Sequence, residues 1–321
     1  MYKDIQVLQY DANWPKIFLA EATLIKKELK DNLFDIEHIG STSIPGMVAK
    51  KDIDILCIVS NLSIAPNLEL LGYRSKGEYN IPLRQYFSKN TDISKINLHV
   101  VEPGHGFIGL NLFFRNYLRK HEDAKTSYSQ LKENLLSNPK SYEIAANQFT
   151  FYNLGKNSFI KSILAKAGWD GITMNLCTHT EEWAIIQHFR NKYFFIPQKI
   201  EDPYKWTFNH SNHKHLVLYL GSEIIGYVHL ELLQDLKAAI RIMVIDEAKR
   251  NNNYGSHFLM LCESWLRKLG YKSLYAGSNI SSLEFYKKNN YAEMLFNWSD
   301  DYRSDPENIQ MGKILKTVNA K

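Results

Sequence analysis

The chain has 321 residues, of which 45% are hydrophobic, 13% aromatic and 23% charged, and a formal net charge of +5. That length and apolar content supply two packed cores, and the mild basic excess suits small acidic ligands without demanding nucleic acid. No apolar run reaches the roughly 18 residues of a membrane-crossing helix, so no membrane span is expected.

Residues 1–6 hold no apolar signal core, which points to a cytoplasmic protein rather than one secreted through a cleaved leader. Cys57, Cys177 and Cys262 stand far apart in apolar or helical stretches and read as reduced thiols. The first predicted helix covers residues 13–30. Asn13 stands at its cap, Pro15 in its first turn, and Ile17, Phe18, Leu24, Ile25 and Leu29 recur at helical spacing. Residues 53–59 are apolar and β-branched, a buried strand, and residues 96–101 are a second strand candidate. Residues 111–136 read as helical with Arg115, Arg119 and Lys120 on or near one face, and residues 156–166 as a closing helix. The glycine-bearing stretch 168–172 is the expected linker, giving domains 1–167 and 173–321.

Between the first helix and the first strand runs Ile36-Glu37-His38-Ile39-Gly40-Ser41-Thr42-Ser43-Ile44-Pro45-Gly46-Met47, followed by Asp52-Ile53-Asp54-Ile55. Residues i and i+2 of a strand share a face, so Asp52 and Asp54 would stand side by side. Two such charges need a cation, and carboxylate oxygens suit magnesium. The Gly40-Ser41 backbone can approach a phosphate closely, because glycine has no side chain in the way. Arg84, Arg115 and Arg119, with Lys50 and Lys51, are candidates to clamp a triphosphate. A plain surface strand end remains the alternative for the aspartate pair taken alone.

The run resembles the GrpB-like family, a branch of the nucleotidyltransferase superfamily. Other matching residues are Tyr10, Trp14, Phe18, Glu21, Ala49-Lys50, Leu98-His99-Val100 and Phe114-Arg115-Asn116-Tyr117-Leu118-Arg119. Tyr128, Leu131-Lys132, Lys156 and Phe159-Ile160 complete the match over residues 1–167. The resemblance implies a nucleotidyltransferase-like mixed sheet with helices. It implies metal ligands at Asp52, Asp54 and His99, a nucleotide held by Gly40, Ser41, Lys50, Arg84 and Arg115, and Mg2+ with a nucleoside triphosphate as cofactors. His99 lies in the strand where such an enzyme carries a third carboxylate; binding substrate and plain core packing stay open for it. Asn116 stands where the family pattern has aspartate.

In the second half, residues 180–190 read as a helix capped by Thr180. Residues 215–220 and 224–232 read as strands around Gly221-Ser222, and residues 238–245 as another strand. A helix over 254–269, a strand over 273–276 and a helix over 281–288 follow. His210, His213 and His215 have no nearby cysteine or carboxylate to complete a zinc site and read as a polar approach to the hairpin. The loop Arg250-Asn251-Asn252-Asn253-Tyr254-Gly255-Ser256 joins strand to helix, and a helix N-terminus offers free amides and partial positive charge to a pyrophosphate.

This loop resembles the acetyl-CoA loop of the GNAT superfamily, Arg/Gln-x-x-Gly-x-Gly/Ala, with Arg250 first, Gly255 last and Asn253 in place of the middle glycine. Asparagine tolerates the left-handed backbone such a loop needs. Asn279, Ser282, Phe285-Tyr286 and Asn290-Tyr291 match the superfamily's second motif, over residues 172–316 in all. The resemblance implies a GNAT-like mixed central sheet flanked by helices, an α+β or α/β chain overall. Acetyl-CoA would be held by Met243, Ile245, Arg250, Asn251, Asn252, Asn253, Tyr254, Gly255, Ser256 and Asn279. Tyr286 would protonate the leaving thiolate, and Glu231 or His229 is the candidate base, a solvated strand end being the alternative for both. The expected reaction moves an acetyl group to an amine of a small molecule or peptide. An aminoacyl-tRNA acceptor and a homodimer stay open. The run 298–307, acidic and aromatic, would border the acceptor pocket.

Overall fold

The computed structural model of the protein describes residues 5–146, 149–296 and 307–316. It divides into two compact units, Met1–Thr173 with Leu220–Glu223, and Met174–Tyr219 with Ile224–Lys321. The architecture is mixed α and β, with one mixed sheet organising each unit. Among the described residues no helix is long and apolar enough to cross a membrane.

In the first unit, α1 (Trp14–Leu29) leads into β1 (Leu33–Ile39), β2 (Asp52–Val59), β3 (Arg74–Ser75), β4 (Gln85–Asn90) and β5 (Lys95–Val101). The sheet order is β1-β2-β5-β4-β3, and β2 and β5 run parallel at its centre. Then come α2 (Gly106–Lys120), α3 (Glu122–Leu136), a ribbon of β6 (Ile144–Ala146) and β7 (Phe149–Thr150), α4 (Phe151–Leu154) and α5 (Asn157–Lys166). Strand alternation explains the layering. Ile53, Ile55 and Cys57, with Ile96 and Leu98, pack on Trp14, Ile25 and Leu29 of α1. Leu56, Ile58 and Val101 face Phe107, Ile108 and Leu112 of α2 instead. Asp52 and Asp54 have the parity of that second face.

The second sheet and its helices comprise β8 (Ile172–Leu176), α6 (Thr180–Arg190), β9 (His213–Leu220), β10 (Glu223–Leu232), β11 (Lys237–Ile245), α7 (Tyr254–Lys268), β12 (Ser273–Ser278), α8 (Ile280–Lys288), β13 (Ala292–Glu293) and β14 (Ile309–Ile314). The sheet order is β13-β14-β12-β11-β10-β9-β8. Ile186 and Phe189 of α6 pack with Val217, Tyr227, Ile242 and Val244 on one face of the sheet.

Three local expectations change. The helical stretch expected over 111–136 is two helices broken at His121, whose backbone is extended. His121 stacks on Tyr117 and its Nδ1 lies 2.9 Å from the Tyr117 carbonyl, while Glu122 and Asp123 suit a fresh helix N-terminus. Asn13 makes no side-chain cap; the Asp11 carboxylate accepts from the Asn13 N–H at 2.8 Å. Thr180 is the first residue inside α6 rather than its cap, and the Glu182 carboxylate takes the Thr178 N–H at 2.8 Å.

Candidate functional site

The first unit builds its site where β1 turns toward β2. Gly40 has φ 70° and ψ −176°, a region open to glycine alone. A Cβ there would lie 2.2 Å from Asp54 Oδ2, so the turn rests directly on that carboxyl. Asn97, paired with Asp54 across β2 and β5, donates to Asp54 Oδ1 at 2.9 Å and accepts from the Tyr86 hydroxyl at 2.8 Å. Lys50 pairs with Asp52 at 3.3 Å. Lys132 of α3 donates to Ser41 Oγ at 3.1 Å and to the Val48 carbonyl. Two of the arginines expected to clamp phosphate hold the turn from behind. Arg115 donates to the His38 carbonyl at 2.8 Å and pairs with Glu37 at 2.6 Å; Arg119 donates twice to the Ser43 carbonyl, at 3.1 and 2.7 Å.

His99 stands opposite Leu56 in the sheet, two pairs beyond Asp54. Its Nδ1 lies 3.2 Å from Arg84 Nη1, and its ring stacks on Tyr86. The structure therefore gathers Asp52, Asp54, Lys50, Gly40 and Ser41, and sends His99 to Arg84. No group of three metal-ligating side chains forms among the described residues. Glu102 accepts from the Leu62 N–H at 2.9 Å, away from His99.

In the second unit, β11 pairs with β12 only from Lys237 to Ile240, opposite Ser273 to Ala276. Beyond that the parallel strands part, while β11 keeps its bonds to β10 as far as Ile245. The polar edge of residues 241–245, including Met243 and Ile245, is thus free of a β12 partner. The loop after β11 opens on this gap. Asn251 and Asn253 have φ of 65° and 60°, so both take the left-handed backbone. Arg250 Nε donates to the Ile245 carbonyl at 3.0 Å, and its guanidinium lies over Tyr193. Asn252 bonds the Arg250 carbonyl at 3.0 Å, and Lys288 reaches Asn253 at 3.2 Å. Tyr254, Gly255 and Ser256 begin α7, where helix amides have no intrahelical acceptor. A Cβ on Gly255 would lie 3.1 Å from the Phe285 ring, so glycine lets α7 and α8 approach. Asn279 caps α8, accepting from the Ser282 N–H at 3.0 Å. Tyr286 is buried in α8 against Phe285 and Tyr291.

Residues 4–166 match the GrpB protein family, just over half of the chain. The chain belongs to the GrpB family. Residues 181–291 match the acetyltransferase (GNAT) family, so a GrpB domain precedes a GNAT domain. The UPF0157 protein BH1888 of Halalkalibacterium halodurans is 34% identical over 51% of this chain and 82% of its own length. Among solved structures, GrpB from Enterococcus faecalis is 34% identical, covering 50% of this chain and 96% of that one, with a TM-score of 0.45. The ribosomal-protein-S18-alanine N-acetyltransferase of Escherichia coli is 15% identical, covering 47% and 99%, with a TM-score of 0.36.

The electrostatics of the GrpB site follow from burial. Burial pushes Asp54 up to about 6, with Asp52 adding to the rise and Asn97 opposing it. Burial and Lys156 bring Lys132 down to about 7, and burial and Lys50 bring Lys156 down to about 8. Lys50 and Lys156 thus act on the aspartate pair, while Lys132 holds the Ser41 turn. Neither Asn97 nor Lys132 stands out as a site residue in the sequence alone. Lys132 lay inside the family match, and Asn97 follows from strand parity once β2 and β5 are paired.

In the GNAT domain, Glu231 and His229 are buried rather than solvated strand ends. Arg241 is the extra residue of a bulge, since His229 pairs with Ile242 and Leu230 with Ile240. Its guanidinium forms an ion pair with Glu231, with Nε 2.5 Å from Oε2. His229 Nε2 lies 2.9 Å from His213 Nδ1, and His215 Nδ1 lies 2.8 Å from the Tyr227 hydroxyl. Arg190 joins that hydroxyl to Asp202 through a bidentate pair at 2.7 and 2.8 Å. His213 and His215 are therefore core members of β9, not a polar approach to the hairpin; burial brings His215 down to about 3. Burial pushes the Tyr286 phenol far above its ordinary range, so it keeps its proton. Of the expected acceptor rim, residues 298–306 lie outside the described residues and Glu307 lies at their edge.

Proposed function

We propose that the GNAT domain transfers an acetyl group from acetyl-CoA to an amine. The observation that carries this reading is the parting of β11 from β12 directly before a left-handed asparagine loop and a helix N-terminus. A long thioester arm fits between two parallel strands whose edges are unpaired, and its pyrophosphate fits the amides of Tyr254, Gly255 and Ser256. An edge N–H of Met243 or Ile245 would hold the thioester oxygen as negative charge develops. The amine nitrogen attacks the carbonyl carbon, the carbon–sulfur bond breaks, and Tyr286 donates its proton to the leaving thiolate. Glu231, fixed by Arg241, receives the ammonium proton directly or through water. The acceptor is a small-molecule or peptide amine in a cytoplasmic protein, and residues 168–172 link the two domains.

The test is calorimetric titration of the full chain with acetyl-CoA. Saturable binding that weakens by about tenfold or more in Arg250→Glu supports the reading. Absence of binding at millimolar cofactor, or unchanged binding in the variant, refutes it.

For the GrpB domain, Lys132 on Ser41, Lys50 on Asp52 and Lys156 near both aspartates favour a phosphate-bearing ligand such as a nucleotide. The described residues offer two carboxylates and no third ligand, and Lys50 already neutralises Asp52, so they do not fit a closed magnesium site. We therefore assign this domain ligand recognition. A nucleoside triphosphate that raises the melting temperature without magnesium, and fails to do so in Lys132→Met, supports that assignment; a shift that needs magnesium, or no shift, refutes it.

A further inference from the structure

Arg84 is 4% exposed, and no acidic side chain forms an ion pair with it among the described residues. Its Nη2 donates to the Glu78 carbonyl at 3.1 Å, its Nη1 faces His99, and its Nε has no hydrogen-bond partner. Guanidinium groups stay charged in proteins. Burial brings this one down to about 10, and Tyr86, Tyr79 and, more weakly, Glu78 pull the other way. His99 brings no compensating charge, because burial and Arg84 itself hold it neutral. A buried cation that forms no ion pair is costly, and a bound anion would offset that cost.

The surroundings suit a ligand. The guanidinium lies over the Tyr86 ring at 5.4 Å and over the Phe107 ring at 5.1 Å. Tyr79 stands edge-on to Tyr86 at 5.5 Å and to Phe149 at 5.9 Å, which extends the aromatic wall. These rings are only partly buried. The segment carrying Arg84 is held in an unusual shape. Tyr79 and Leu83 take φ of 62° and 66°, although neither is glycine. The Glu78 carboxylate accepts from the Leu83 N–H at 2.7 Å, and His105 Nε2 lies 3.0 Å from the Pro82 carbonyl.

We propose that Arg84, with Tyr79, Tyr86, Phe107 and Phe149, forms a second subsite of the GrpB domain that binds an oxyanion, carboxylate or phosphate, borne on a flat ring. The Tyr86 hydroxyl reaches Asp54 through Asn97, so this subsite lies along the same sheet face as the aspartate pair. The guanidinium fork receives the oxyanion and the aromatic wall stacks on the ring. The inference depends neither on acetyl transfer nor on nucleotide binding.

The test uses the full chain and three probes: benzoate, phenyl phosphate and the neutral benzamide. Benzoate or phenyl phosphate raises the melting temperature saturably, and benzamide does not. A response to benzoate alone assigns carboxylic acids, and a response to phenyl phosphate alone assigns phosphate esters. Arg84→Met abolishes the shift. Arg84→Lys, which keeps the charge but not the fork, folds and binds about tenfold more weakly; this variant decides the matter if Arg84→Met does not fold. No shift with either anion, or an equal shift in the variants, overturns the proposal.

Discussion

Replacing Asp54 with asparagine should make the GrpB domain more stable at neutral pH. The carboxyl lies under Gly40 and is pushed from 3.8 to about 6, mainly by burial. At about 1.4 kcal/mol per pH unit, keeping it ionised costs the folded state at most about 3 kcal/mol. The sign follows from proton counting. Between pH 3.8 and about 6 the folded chain holds a proton that the unfolded chain has lost, so this group's contribution falls as pH rises through that window and is flat above it. Asparagine keeps an oxygen for the Asn97 amide, so Asp54→Asn removes the charge and spares the 2.9 Å hydrogen bond. The assay is native-state hydrogen exchange of β2 peptides in the full chain, which reads this domain separately. Protection of β2 in Asp54→Asn should exceed the parent by up to about a hundredfold at pH 7.5 and match it near pH 3.5. Lower protection in the variant at pH 7.5, or the same difference at both pH values, would refute the reasoning.

Gly40→Ala should destabilise the same domain by about 3 kcal/mol or more, from backbone strain plus overlap with Asp54, and the same exchange measurement reads it. Asp54→Ala in that background should recover the steric part, so the double-mutant cycle is strongly non-additive. In the GNAT domain His215 and His229 are held below 6.5 by burial. The unfolded chain takes up their protons first, so this domain loses stability as pH falls below about 6.5. His215→Asn should flatten that loss in exchange of β9 peptides measured from pH 7.5 to 5.

Much of the frame is legible in the sequence because it depends on local periodicity. The helix near residues 14–29, the strand through Ile53 and Ile55 and the loop at Arg250 all announce themselves within one window. Contacts made by chain pairing do not. Asn97 looks ordinary until β5 lies beside β2. Arg115 and Arg119 look like phosphate ligands because a sequence displays their charge and hides the carbonyls of His38 and Ser43 that occupy them. The histidines of β9 look polar because their partners, His229 and Tyr227, sit on the next strand. The break at His121 turns on one ring stacking on the residue four before it, which periodicity does not register.

The Gly40–Ser43 turn is braced by side chains that α2 and α3 deliver from outside it. Its shape is consequently settled when those helices dock, before any ligand arrives. Under the recognition role proposed for this domain, a ligand meeting this turn would bear little of the entropy of ordering it, and fit and charge would decide affinity there. The same bracing spreads sensitivity outward. Arg119, which the structure engages with a backbone carbonyl, becomes a place where a change could loosen recognition while leaving every ligand-facing group intact.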